Sequence, residues 1–149
     1  MSTYQVAESI DIGAPAATVY ALLADYKVGH PSILPRRYFS AVAVTAGGQG
    51  AGTAFTVELT AYGSKFTYHM QVSEPEPGHI LSEEDAAAGV VTTFTVDPLD
   101  DTRSRLTIAT TAQASPGIKG WLEKLMTPGI MRRIYREELA LIAAAVQPA

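Results

Sequence analysis

The sequence contains no cysteine. Disulfides, thiol nucleophiles and zinc–thiolate centres are excluded, although the absence does not fix a compartment. Histidine is scarce, at positions 30, 69 and 79 only. That spacing fits no metal-ligand pattern, so neither a metal nor another cofactor is expected. Charged residues make up only 17% of the chain, and 15 acidic against 11 basic residues leave a net charge of −4. A protein that tracks phosphates needs a basic surface, so no nucleic-acid partner is expected. No apolar run approaches the roughly eighteen residues that span a bilayer, so no integral membrane segment is expected. The opening MSTYQVAESIDI lacks the basic start and apolar core of a signal peptide, and a cytoplasmic location is the expectation. The Gly47 to Gly52 run lacks the Lys-Ser/Thr ending of a phosphate loop.

What the chain does have is apolar residues, 47% of 149. This length suits one domain, residues 1–149, able to bury about two-thirds of its extended-chain surface. Alternation of period two marks strands. Val6, Glu8, Ile10 and Ile12 share a face in Tyr4 to Ile12; Phe55, Val57 and Leu59 do so in Thr53 to Ala61; Phe66, Tyr68, Met70 and Val72 do so in Lys65 to Val72. Tyr38 to Thr45, Ile80 to Glu84, Val90 to Val96 and Leu106 to Ala112 complete about seven strands. Pro75, Pro77 and Gly78 are expected to end the fourth. Short connections imply antiparallel neighbours.

Pro15 suits the first turn of a short helix over Ala16 to Ala24, because its missing N–H costs nothing there. Asp25 to Pro35 carries Gly29, Pro31 and Pro35 and reads as irregular, with a helical turn around Ser32 to Leu34. Pro116 to Val146 is the long helix. Trp121, Leu122, Leu125 and Met126, then Ile130, Ile134, Leu141, Ile142 and Ala145, give its apolar stripe. Pro128 and Gly129 inside it predict a kink or restart, since proline costs about 3 kcal/mol mid-helix. The fold expected is therefore α+β. A strongly curved antiparallel sheet grips the last helix and leaves space between them.

In order along the chain, Ser9 to Tyr26 (SIDIGAPAATVYALLADY), Leu34-Pro35, Gly47 to Thr53, Glu74-Pro75 before Gly78, and Pro98 before the final strand resemble the START-like superfamily, in its polyketide cyclase/dehydrase and lipid-transport branch. The family usually carries Trp where Tyr20 stands. The resemblance covers nearly the whole chain. It implies a helix-grip fold with two short helices after the first strand and an apolar ligand cavity. It does not imply one reaction, because fold and function are loosely tied.

Inward parity nominates the ligand-binding residues: Phe55, Val57, Leu59, Phe66, Tyr68, Met70, Thr92, Phe94, Ile108 and Thr110 from the strands, Met126 and Ile130 from the helix, and Leu34 and Tyr38 from the segment between. Tyr68, Thr92 and Thr110 are the polar members able to orient a ligand. Met70, Met126 and Met131 are pliable fillers. No catalytic residue is assigned. His30 reads as a loop residue near the cavity mouth. Glu8 and Glu84 raise the question of a buried carboxylate, which would be costly unless partnered. Arg36 could meet an anionic headgroup. Arg132, Arg133, Arg136, Glu137 and Glu138 read as a solvated helix face with ion pairs. An enzyme needs at least two convergent titratable groups in the cavity; a carrier needs only an apolar pocket with a polar end. The reading that follows is binding or carriage of a small hydrophobic molecule (a lipid, polyketide or isoprenoid-like compound), with a cofactor-independent polyketide cyclase/dehydratase-type enzyme as the alternative. Oligomeric state is left open. Asp25 to Pro35 and Pro128-Gly129 are the expected gate.

Overall fold

A computed structural model describes residues 2–148, without the side chains of Ile118, Lys119, Trp121, Leu122, Lys124, Leu125 and Met126. The elements are β1 (Thr3–Ile12), α1 (Ala16–Ala24), α2 (Gly29–Ser32), β2 (Ala43–Ala46), β3 (Ala54–Ala61), β4 (Ser64–Glu76), β5 (Ile80–Asp85), β6 (Val90–Pro98), β7 (Ser104–Gln113) and α3 (Gly117–Val146). The seven strands form one curved sheet in the order β1-β7-β6-β5-β4-β3-β2, with every neighbouring pair antiparallel. Chain neighbours are joined by short turns except at one place. β1 and β2 lie at opposite edges, and α1 and α2 bridge them. This is the helix-grip arrangement that the sequence pattern implies.

Register decides which side chains face α3. Phe55 pairs with Met70 in one row, and Leu81 with Phe94 and Phe94 with Ile108 in another, so the sheet's inner face is apolar in both. From α3, Ile134, Leu139 and Ile142 close over it, and all three are essentially sealed. Each such side chain contributes about 1.5–3 kcal/mol relative to an exposed one. Leu141, counted in the apolar stripe from sequence, is exposed instead.

Four local expectations change. The second strand begins at Ala43, not Tyr38; Tyr38 to Ala41 run beside β3 with only an isolated bridge from Phe39 to Leu59. Strand β4 runs past Pro75 to Glu76, with its register shifting between Ser73 and Glu76. A bulge tolerates proline because a ladder hydrogen bond is already missing there. Helix α3 passes Pro128 without restarting; packing of its apolar face outweighs the local cost. Finally, Asp25 to Pro35 is tightly bonded. The Asp25 carboxylate accepts from the N–H groups of Lys27, Val28 and Gly29 at 3.1, 3.2 and 3.1 Å. Those donors hold its carboxyl below the usual range.

Glycine makes this packing possible at two places. A Cβ on Gly29 would lie 2.5 Å from the Leu22 carbonyl, so only glycine lets α2 sit so close to α1. Gly50 has φ +56°, and a Cβ there would strike Glu74 Oε1 at 2.1 Å. Its N–H donates to Ala24 O at 2.8 Å, while the Tyr26 N–H donates to Gly48 O at 2.9 Å. The glycine-rich turn thus anchors the backbone on which Tyr26 and His30 stand.

Candidate active site

Between α3 and the sheet lies an inner chamber of about 70 Å³, adjoining an outer vestibule of about 610 Å³ with which it shares wall residues. Most of the chamber wall is apolar: Leu34, Phe55, Val57, Leu59, Met70, Phe94 and Ile108 are among its residues. His30, Glu83, Thr92, Tyr135 and Glu138 interrupt it.

His30 is 2% exposed. Its Nδ1 lies 2.7 Å from the Leu23 carbonyl, and an N–H on that nitrogen must donate there because the carbonyl can only accept. Nε2 faces the chamber side and lies 3.5 Å from Glu83 Oε2. The same carboxylate oxygen accepts from the Tyr26 hydroxyl at 2.7 Å. The Tyr26 ring stacks on the imidazole at 4.6 Å, and Phe94 meets the imidazole edge-on at 5.2 Å. The imidazole is therefore fixed in tautomer and plane, and a carboxylate stands ready to stabilise its protonated form, the logic of oriented histidine bases. Burial, then the charge of Glu83, pushes the Tyr26 phenol far up, so Tyr26 stays a donor.

Glu138 faces the chamber from α3 and is 3% exposed. Burial first, and the charge of Glu83 second, push its carboxyl up to about 8. At neutral pH it is mostly the neutral acid, a hydrogen-bond and proton donor in an apolar site. No hydrogen bond joins it to any other described residue. Beside it, Tyr135 hydrogen-bonds Thr110, whose hydroxyl lies 2.7 Å from that of Thr92. The Tyr135 phenol is also pushed up by burial.

The site residues expected from sequence separate as follows. Leu34, Phe55, Val57, Met70, Thr92, Phe94 and Ile108 face the chamber; Phe66, Thr110 and Ile130 face the vestibule; Leu59 and Tyr68 face both. Phe66 keeps inward parity but stands beyond the chamber, 49% exposed and stacked near Tyr68. Tyr38 is buried yet faces neither space, and its ring lies under the Arg37 guanidinium. The Met126 side chain lies outside the described residues, as do those of Trp121, Leu122 and Leu125.

The larger corrections concern the ionisable groups. His30 belongs to α2 and to the chamber wall, not to a loop at the mouth. Glu84 is exposed; Glu83, paired with Thr92 across the ladder, is the inward carboxylate. Glu8 meets Arg136 of α3 at 3.1 Å instead of reaching the cavity. On the helix, Glu137 pairs with Arg37, as the solvated-face reading expects, but Glu138 does not belong to that face. Tyr26, Glu83, Tyr135 and Glu138 were missed. The signal for Glu138 was present: Ile130, Ile134, Glu138 and Ile142 step by four along one helix face. His30 and Leu34 from the Asp25 to Pro35 segment line the inner chamber, whereas the exposed β3–β4 hairpin residues Tyr62, Lys65 and Phe66 border the vestibule at its mouth. Pro128-Gly129 does adjoin it, between Thr127 and Ile130. Among the described residues, no three His, Asp or Glu side chains are placed to hold a metal ion, and no helix is long and apolar enough to cross a membrane.

A model of the family described as polyketide cyclase / dehydrase and lipid transport matches residues 3–147. No curated protein sequence matches the chain. Among solved structures, the NMR structure of the KanY protein is similar at 32% identity, covering 97% of this chain and 98% of that one, with a TM-score of 0.83. The Zhui aromatase/cyclase from Streptomyces sp. R1128 shares the fold at 18% identity, 97% and 93% coverage and a TM-score of 0.76. Norcoclaurine synthase from Thalictrum flavum, solved in complex with dopamine and hydroxybenzaldehyde, does so at 15% identity, 97% and 86% coverage and a TM-score of 0.70.

Proposed function

The chain belongs to the polyketide cyclase/dehydrase and lipid-transport family, whose members bind hydrophobic ligands, and from that premise we propose that it eliminates water from a small, largely apolar hydroxy-ketone whose carbonyl end is held in the chamber. The observation that carries this reading is the convergence of His30, Glu83 and Glu138 on one apolar space. The sequence alone favoured carriage, because its inward parities are nearly all apolar or hydroxyl. Two or more titratable groups in the cavity are what the enzyme requires, and three line it.

The steps balance without a co-reactant. His30 Nε2 takes the proton from the carbon between the carbonyl and the carbinol, while Glu83 stabilises the resulting imidazolium. The electron pair moves onto the carbonyl, whose oxygen takes the Glu138 proton, giving an enol. Glu138 then recovers that proton and the carbonyl re-forms. The new C=C closes toward the carbinol carbon as its C–O bond breaks, and the hydroxyl leaves as water with the proton from His30.

The test uses 4-hydroxy-4-phenylbutan-2-one, whose conjugated enone product is followed by absorbance. The protein is expected to accelerate its formation, and His30→Asn or Glu138→Gln to slow it by about 10²–10⁴-fold, the usual weight of a general acid or base. Binding without any enone above the buffer rate would leave carriage as the function.

A further inference from the structure

The chamber and the vestibule adjoin at a waist of shared wall residues. Leu59, Tyr68, Val90, Met131 and Ile134 line both. Inward of that waist the volume is about 70 Å³; outward it is about 610 Å³. An apolar protein cavity of about 150 Å³ holds one benzene molecule. The inner space therefore takes a group of only about three heavy atoms. His30, Glu83 and Glu138 line the inner space and not the outer. Among the described residues, the vestibule's charged side chains are paired: Lys65 with Glu58 at 2.6 Å, and Glu123 with the Ser115 hydroxyl at 2.7 Å.

Resting on the reading above, we infer that the substrate is an elongated molecule with its carbonyl at the very end, a methyl-ketone-sized head that alone passes the waist, and that Tyr68 sets that division. The apolar remainder stays in the vestibule. Tyr68 sits opposite Val57 on β3, and its ring, stacked beside Phe66, forms the sheet side of the passage. Burial raises its phenol to about 12, so it stays a neutral wall. Met131 forms the helix side, and its flexible thioether can follow the shape of a tail. A carbonyl placed mid-chain would need two tails to enter the chamber, and there is room for neither.

The test is calorimetric binding of straight-chain methyl ketones, 2-pentanone to 2-decanone, and of the isomer 5-decanone, to the full chain. Affinity is expected to rise about threefold to fourfold per added methylene, the worth of burying one CH₂. The isomer 5-decanone is expected to bind at least tenfold more weakly than 2-decanone. Tyr68→Ala should cut that discrimination below threefold while 2-decanone still binds; Tyr68→Leu serves if the alanine variant does not fold. Equal binding of the two isomers, or affinity independent of chain length, overturns the inference. Because these ketones carry no leaving hydroxyl, the result is independent of turnover. A chain-length slope with no enone from the hydroxy-ketone refutes the dehydratase and keeps the two-compartment site. Enone formation without isomer discrimination does the reverse.

Discussion

The Tyr26 hydroxyl donates to Glu83 Oε2 at 2.7 Å, and both side chains are buried. This bond joins the segment after α1 to the middle of the sheet and fixes the carboxylate against which His30 stands. Tyr26→Phe removes the donor and leaves a buried carboxylate short of a partner. It is expected to destabilise the fold by about 1–3 kcal/mol in urea titrations. Glu83→Gln added to it should cost less than the sum of the two single changes, because both act on one contact. Strict additivity in the double-mutant cycle would show that the bond carries no net energy.

The raised carboxyl of Glu138 makes stability depend on pH. Its folded value of about 8 lies above its ordinary 4.5. Between the two, the native state holds a proton that the unfolded chain has released. Stability from this group is complete below about pH 4.5 and falls by about 1.4 kcal/mol per pH unit as pH rises toward 8. Glu138→Gln keeps the shape and removes the titration. The variant should therefore gain on the wild type steadily from pH 5 to pH 8. Parallel stability curves over that range would mean that Glu138 is ionised in the native protein.

The close seat of α2 rests on Gly29. Gly29→Ala would bring a Cβ to 2.5 Å from the Leu22 carbonyl and 3.3 Å from Asp25 Cβ, both on rigid backbone or near it. The helix must shift, and His30 moves with it. Overpacking of this kind costs about 1–3 kcal/mol. A lower melting temperature together with slower enone formation is expected, and unchanged values of both would place the two helices farther apart than described.

Legibility in the sequence followed the physics of each element. The strands with strict alternation, such as Ala54–Ala61, were readable because one face meets the core and the other meets solvent. The chamber's apolar wall came from the same parity. The acid–base groups did not, for three separate reasons. Glu83 and Glu84 are adjacent, and only the ladder with β6 decides which turns inward. Glu138 sits in a basic-acidic run, so local charge pointed to solvent while helical spacing pointed to the core. His30 and Tyr26 lie among Gly and Pro residues, where no period exists, and their burial comes from the Asp25 turn and the glycine contacts.

At the mouth, Tyr62 has φ 52° in the two-residue turn between Ala61 and Ser64, followed by Gly63 at φ 83°. Such a turn wants positive φ at both positions, which suits Asn-Gly; for tyrosine the left-handed conformation costs about 1 kcal/mol or more. The ring is 57% exposed, so burial returns little. Its hydroxyl accepts from Arg133 Nη1 of α3 at 2.9 Å, an exposed contact that ties the hairpin tip to the helix across the vestibule edge. Strain and tie oppose one another, and exposed polar contacts are worth less than backbone relief of this size. Tyr62→Asn is expected to raise stability by about 0.5–1 kcal/mol. It should also speed entry and exit of 2-decanone, because the edge of the mouth is no longer tied to α3. Stopped-flow binding and thermal unfolding read the two effects separately. A less stable variant, or unchanged rates, would mean that the Arg133 contact outweighs the strain or that ligand enters elsewhere.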